Sequence, residues 1–171
     1  MKFTAAQRAI FGSMALGFAF VLTGAIATPP YKLLYNPSES APRGWYLFKR
    51  TDSVYRDAFV LATLPEAIAT LASERDYLPR NVPILKHVGA LRGQEICRER
   101  DLLTVDGVLV AHTLEHDGVG RPLPYWSGCR TLDRDEVFLL STDSPLSFDS
   151  RYFGPIPRSA ILGLVIPVWT R

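Results

Sequence analysis

Between Arg8 and Lys32 the chain carries no charged side chain. Ala9–Thr28 (AIFGSMALGFAFVLTGAIAT) is mostly apolar, and as a twenty-residue helix it would extend about 30 Å, the thickness of a bilayer's hydrocarbon core. It has no polar face, so it suits lipid on all sides better than a place in a soluble core. Pro29 and Pro30 stop it, because neither ring nitrogen can donate to the helical ladder. Lys2 and Arg8 stand on its leading side, a basic excess that favours an N-terminus in the cytoplasm and the rest of the chain outside. A cleaved signal peptide competes with this, since Ala25-Ile26-Ala27 has the small-x-small spacing of a cleavage site. The length of the apolar run favours an uncleaved anchor, and either way the remainder is exported. The expected organisation is an anchor or signal sequence over residues 1–31 and one exported domain over residues 32–171, whose 140 residues suffice for a core of their own.

Nineteen Lys and Arg against seventeen Asp and Glu leave a net charge of +2, with the basic residues scattered. That excludes a chain built to wrap nucleic acid. A hydrophobic content of 47% with 21% charged residues excludes a disordered one, which could not bury enough apolar surface to offset its ordering entropy. Thirteen prolines and twelve glycines suit a loop-rich β domain.

The exported part reads as mainly β. Trp45-Tyr46-Leu47-Phe48 and Ala58-Phe59-Val60-Leu61 are aromatic and β-branched runs between turn residues, hence strands. Val82–Leu91 reads as a strand-pair region ended by Arg92-Gly93. Leu102–Val105, Asp106-Gly107 and Val108–Val110 spell a hairpin, since Asp-Gly supplies the positive φ angles of a tight turn. Glu136–Ser141 and Ile161–Val168 complete the strands. Pro65–Ser73 is the one short helix expected, with proline in its first turn. No internal repeat and no Gly-rich phosphate loop is present.

Cys97 and Cys129 both fall in the exported part, where an oxidising compartment lets them pair; the alternative is two buried thiols. His112 and His116 are four apart, but HTLEH lacks the glutamate placement of a zincin helix, and a solvated loop is the expected home of both. No metal is expected.

Three segments carry possible chemistry. In Asn36-Pro37-Ser38-Glu39-Ser40-Ala41-Pro42-Arg43-Gly44, two serines fenced by prolines and a glycine make a rigid turn soon after the apolar run. Such a turn can aim a hydroxyl and a backbone N–H at one point, as a nucleophile with its oxyanion donor requires, although most clusters of this composition are plain loops. In Pro83–Ala90 (PILKHVGA), Lys86 is planted in an apolar strand. Desolvation disfavours a charged amine, which is what a lysine general base needs; the bland alternative is that alternation turns Lys86 to solvent. In Ser147–Gly154 (SFDSRYFG), alternating acidic, basic and hydroxyl residues suggest a hydrogen-bonded loop that an Asp149–Arg151 pair would pin.

In this order along the chain, the three segments resemble the membrane-bound signal peptidases, the S26-type serine proteases with a Ser–Lys dyad. The resemblance covers essentially the whole sequence. Pro37-Ser38-Glu39-Ser40 matches the approach to the family's nucleophile, LKHVGALRGQ its lysine box (with Arg92 where proline is usual), and SFDSRYFG its closing box. Finer features resemble the conjugative-transfer maturation peptidases of TraF type: N-P-S-x-S-A-P-x-G-x-Y, Tyr77-Leu78-Pro79, Cys97-Arg98 and Gly128-Cys129-Arg130. General signal peptidases instead tend to have Met after the serine and a proline one position later than Pro42.

The resemblance implies a signal-peptidase-like β domain behind a single N-terminal transmembrane helix, in a bacterial inner membrane with the catalytic domain in the periplasm. It implies Ser40 as nucleophile and Lys86 as general base. The Ser40 N–H and the Ser38 hydroxyl would form the oxyanion hole, and Ser147 would orient the lysine. Asp149 and Arg151 would hold the loop. No cofactor, metal or nucleic acid enters this scheme. The implied partners are the bilayer and a membrane-held preprotein, above all a pilin precursor, together with other components of a type IV secretion or transfer apparatus. Hydrolysis and cyclisation of the product both remain open, because the acceptor of the acyl group belongs to the substrate. A general signal peptidase and a non-catalytic anchored subunit of the transfer apparatus are the alternatives. A soluble Ser–Lys self-cleaving repressor fits poorly with the apolar N-terminus.

Overall fold

The computed structural model describes residues 4–26, 32–142 and 144–171, with the side chains at 8, 9 and 19–26 outside that description. The chain divides into two compact units, Met1–Pro30 and Tyr31–Arg171. In the first, helix α1 runs Ala5–Ile26, and Ile10, Phe11, Met14, Leu16 and Phe18 are exposed on it. A transmembrane helix was the expectation here; among the described residues no helix is long and apolar enough to cross a membrane. Lys2, Ala27, Pro29 and Pro30, on which the orientation, cleavage and helix-stop expectations turn, lie outside the described residues.

Strands dominate the second unit. They are β1 Lys32–Asn36, β2 Gly44–Arg50, β3 Phe59–Ala62, β4 Ile84–Leu91, β5 Glu95–Glu99, β6 Leu102–Val105, β7 Val108–His112, β8 Gly128–Thr131, β9 Glu136–Leu140, β10 Ile156–Pro157 and β11 Ile161–Thr170. Helix α2, Glu66–Glu74, lies between β3 and β4; a one-turn helix α3, Ser150–Phe153, and a 3₁₀ turn, Arg158–Ala160, precede β11. The region 82–91 therefore holds a single strand, Ile84–Leu91, rather than a pair, because Gly89 makes a bulge in it and not a turn. The second soluble helix escapes a sequence pattern because a single turn is too short to show periodicity.

The strands form a seven-stranded sheet in the order β1-β2-β11-β3-β4-β9-β10 and a four-stranded sheet in the order β7-β6-β5-β8. Strand β4 is central in the larger sheet, where Val60 pairs with Lys86 on one side and His87 with Leu140 on the other. Three apolar clusters hold the unit. Val60, Ile84, Val88, Val137 and Leu139 fill one, while Ala90, Ile96, Leu103, Val105 and Phe138 join the two sheets. Ala41, Tyr46, Leu85 and Val165 make the third. This last cluster packs the residue after Ser40 with the residue before Lys86, although 44 positions separate Ala41 from Leu85. The Asp106-Gly107 hairpin forms as expected, with φ of 49° and 77° at its two turn residues.

Candidate active site

The serine turn is shaped by Asn36, the last residue of β1, whose side chain is only 5% exposed. Its amide nitrogen donates to the carbonyls of Ser38, Ala41 and Pro42 at 3.1–3.2 Å. Its oxygen accepts from the Ser38 N–H at 3.1 Å and the Ser38 hydroxyl at 2.8 Å. One buried amide thus satisfies much of the turn's backbone, which the prolines cannot do. The Tyr46 hydroxyl donates to the Pro42 carbonyl from the other side. Gly44 closes the turn at φ 150°, and a Cβ there would stand 2.1 Å from the Trp169 carbonyl oxygen, so only glycine fits. Ser38 Oγ and Ser40 Oγ lie 3.1 Å apart. Because the Ser38 hydroxyl has one hydrogen and Asn36 receives it, Ser40 is the donor in that contact.

Lys86 does not face solvent. It is 2% exposed, and its Nζ donates to Ser147 Oγ at 2.7 Å, itself on a residue 4% exposed. Burial follows from the packing on both faces of β4, where Ile84 and Val88, on the face of Lys86, enter one apolar cluster and Leu85, on the other, enters another.

A residue that the sequence pattern did not single out links the serine turn to the Asp149–Arg151 loop. The Ser141 hydroxyl donates to the Ser40 carbonyl at 2.5 Å, across 101 positions of chain. Ser141 follows the last residue of β9, and a step of two from Leu139, which pairs with Val88, puts its side chain on the face of Val88 and Lys86. The Asp149–Arg151 pair fixes it in turn. Asp149 is 0% and Arg151 2% exposed, and they bond in parallel at 2.8 and 3.0 Å. Asp149 Oδ2 accepts from the Ser141 N–H at 2.9 Å, and Arg151 Nη2 donates to the Ser141 carbonyl at 2.9 Å. A buried charge pair of this kind is tolerable because the remaining lone pairs and protons are met by backbone groups. Asp149 also caps α3, accepting from the Arg151 N–H at 3.1 Å.

The loop is braced further by Tyr77, whose ring packs 5.0 Å from that of Phe148. Its hydroxyl donates to Asp117 Oδ2 at 2.5 Å, raised above the ordinary tyrosine value first by burial and then by this bond. Burial alone would raise the Asp117 carboxyl. Hydrogen bonds from Tyr77 and from the Arg121 backbone and guanidinium instead hold it far below the usual carboxylate range.

Cys97 and Cys129 are bonded to each other, opposite one another in the β5–β8 register. Glu95 lies beside them, but with both sulfurs in the disulfide no thiolate is offered to a metal. His112 ends β7, exposed, with Nδ1 3.0 Å from Asp101; it sits on a strand rather than in the expected loop. His116 forms an isolated bridge with Pro122.

The residues expected at the site fall into two bonded sets: Ser38, Ser40, Asp149 and Arg151, joined through Asn36 and Ser141, and Lys86 with Ser147, on the loop that leads into Asp149. These two sets place a serine hydroxyl on a braced turn, a buried amine, and a further hydroxyl set on that amine.

The sequence matches the family described as signal peptidase, peptidase S26, over residues 6–170. It is 35% identical over 164 residues to a plasmid transfer protein TraF of Escherichia coli, covering 90% of this chain and 91% of that one. It is 33% identical over 171 residues to a conjugal transfer protein TraF of Agrobacterium tumefaciens strain 15955, covering 94% of each. Among solved structures, a signal peptidase I from Enterococcus faecalis V583 aligns with a TM-score of 0.38 and 19% identity, over 66% of this chain and 98% of that one.

Proposed function

The chain belongs to the signal peptidase family, peptidase S26, and from that premise we propose that it is a membrane-bound serine endopeptidase that matures an exported precursor, the pilin of a conjugative transfer system. The single observation that carries this reading is the buried Lys86 amine on Ser147, on the same sheet face as the Ser141 hydroxyl that holds the Ser40 carbonyl. In the proposed reaction neutral Lys86 takes the Ser40 proton as Oγ attacks the scissile carbonyl. The Ser40 N–H and the Ser38 hydroxyl receive the oxyanion. As the carbon–nitrogen bond breaks, the leaving amine takes the proton from Lys86, and the acyl group remains on Ser40 as an ester. Water then yields a cut product, with its proton returned through Lys86; an amine of the substrate yields a cyclic one. Ser147 keeps the lysine amine oriented, and Asp149 and Arg151 hold Ser141 and the loop.

The transfer branch is favoured over a general signal peptidase by the TraF relatives, which match along nearly the whole chain. For the bilayer, support comes from the sequence of residues 9–28 and from one face of the β1-β2-β11 edge. Leu33, Tyr35, Trp45, Ile166 and Trp169 are all well exposed there, and the register puts them on the face opposite Leu34, Tyr46 and Val165. An edge that is apolar on both sides, beside the serine turn, suits a domain lying at the lipid interface with residues 1–31 in the inner membrane and residues 32–171 in the periplasm. Tethering there raises the effective concentration of a membrane-held precursor.

Acid quenching during turnover of a conjugative pilin precursor, followed by digestion and mass spectrometry, tests the chemistry. The expected result is an acyl fragment of the precursor on the peptide containing Ser40, absent from Ser40→Ala. Maturation at wild-type rate by Ser40→Ala would overturn it.

A further inference from the structure

We propose that Arg98, on the small sheet, is a positioning residue for the reaction: by fixing the backbone of α3 it sets the Ser147 hydroxyl on Lys86. This rests on the Ser40–Lys86 reading above.

Arg98 is 2% exposed, yet its hydrogen bonds go to carbonyl groups rather than to an acid: Arg151 O at 2.8 Å and Pro124 O at 3.4 Å. Its guanidinium carbon lies 4.5 Å from the centre of the Tyr125 ring and 5.8 Å from that of Tyr152. Its Nε has no hydrogen-bond partner among the described residues. Burial pulls this guanidinium below the ordinary arginine value, against the pull of the two tyrosines. Desolvating a cation whose described partners are carbonyls and ring faces is costly, so packing alone does not favour an arginine here. Its grip on α3 does.

Helix α3 is one turn long, too short to hold itself. From the large sheet, the Leu139 N–H bonds Ser150 Oγ at 2.9 Å, and Ser141 bonds Asp149. From the other side, the Trp126 indole donates to the Ser150 carbonyl at 3.3 Å and Arg98 to the Arg151 carbonyl. Ser147 stands three residues before α3 on the same loop, so a shift of that turn moves the hydroxyl on Lys86. The Tyr152 hydroxyl of α3 is held by the Leu114 N–H at 3.2 Å, beside the pocket of about 710 Å³ that Arg98, Leu114 and Tyr125 line. The disulfide of Cys97 to Cys129 fixes the strand from which Arg98 projects.

The test is a double-mutant cycle in the full chain, read as kcat and KM on a conjugative pilin precursor. Arg98→Met keeps the apolar stem and loses the donors. It is expected to lower kcat by up to about 100-fold with KM unchanged, as small misplacements do. Ser147→Ala is expected to fall in the same range. If Arg98 acts through Ser147, the double variant loses no more than the worse single one. Arg98→Lys, which restores one donor, recovers part of the rate. Losses that multiply in the double variant, or an unchanged kcat in Arg98→Met, overturn the proposal. Ser40→Ala runs alongside: if it matures the precursor, the Ser–Lys reading itself falls, whereas an inactive Ser40→Ala with multiplying losses removes only the role of Arg98. Should Arg98→Met fail to fold by circular dichroism, the same cycle with Arg98→Lys decides by the same criterion.

Discussion

Ser38 has one hydroxyl hydrogen, and in the structure it goes to Asn36. To serve an oxyanion, that hydrogen must leave the amide oxygen, which keeps the Ser38 N–H as its other donor. The rotation exchanges one hydrogen bond for a charge-assisted one, roughly twice as strong, so it favours the transition state over the free enzyme. Ser38→Ala is accordingly expected to lower kcat by about 10²–10³-fold while thermal stability barely changes, because Asn36 retains its bonds to the turn. Steady-state kinetics beside a thermal melt check both halves. Ser38, Ser40, Lys86, Ser147, Asp149 and Arg151 were picked out in the sequence because they stand in short segments that together resemble those of a known family. Asn36 and Arg98 stood in the motifs of that resemblance without a task, and Ser141 was not singled out. Asn36 acquires its task from the closing of its own turn, whereas Ser141 and Arg98 acquire theirs only when chain positions far apart are folded together.

At the scale of elements, the parts that position the site are the short, irregular ones. Strands β2, β3, β4, β6, β7, β9 and β11 showed in the sequence by composition and turn residues, whereas β1, β5, β8 and β10 did not, and α3 had too few residues to show a period. Covering both faces of β4 put Lys86 inside, against the solvent-facing alternative that an isolated strand lysine suggests. The disulfide, closing a separation of 32 residues, stabilises the small sheet by roughly 3–4 kcal/mol in the chain-entropy account. The segment after α2 is clasped to residues 117–122 by hydrogen bonds. Arg75 donates to the Pro122 carbonyl at 2.7 Å, Arg121 to the Arg75 carbonyl at 3.0 Å, and Tyr77 to Asp117 at 2.5 Å. Asp117 is held below its ordinary value. It therefore contributes stability that is fully present above about pH 3.9, the unfolded value, and is lost as pH falls through the folded one. Tyr77, shifted upward, contributes below about pH 10 and loses its contribution as pH rises through its folded value. Asp117→Asn is expected to melt lower than wild type at pH 7 and to lose less on acidification to pH 3. Melting midpoints across that range check it, and parallel curves for the two proteins would contradict the assignment.

For the whole molecule, the mainly β fold was readable from composition and strand patterns, and the two-sheet order was not, since sheet order depends on pairings between distant strands. The apolar N-terminal run and the exposed aromatic edge are the two features on which the proposed membrane-surface reading rests. The central claim is that Ser40 and Lys86 together cut a precursor. Mass spectrometry of a conjugative pilin precursor co-expressed with wild type, Ser40→Ala or Lys86→Ala tests it most directly. The account predicts the mature mass with wild type alone; a further loss of one water from that mass identifies cyclisation. The mature mass appearing equally with Ser40→Ala or Lys86→Ala would contradict it.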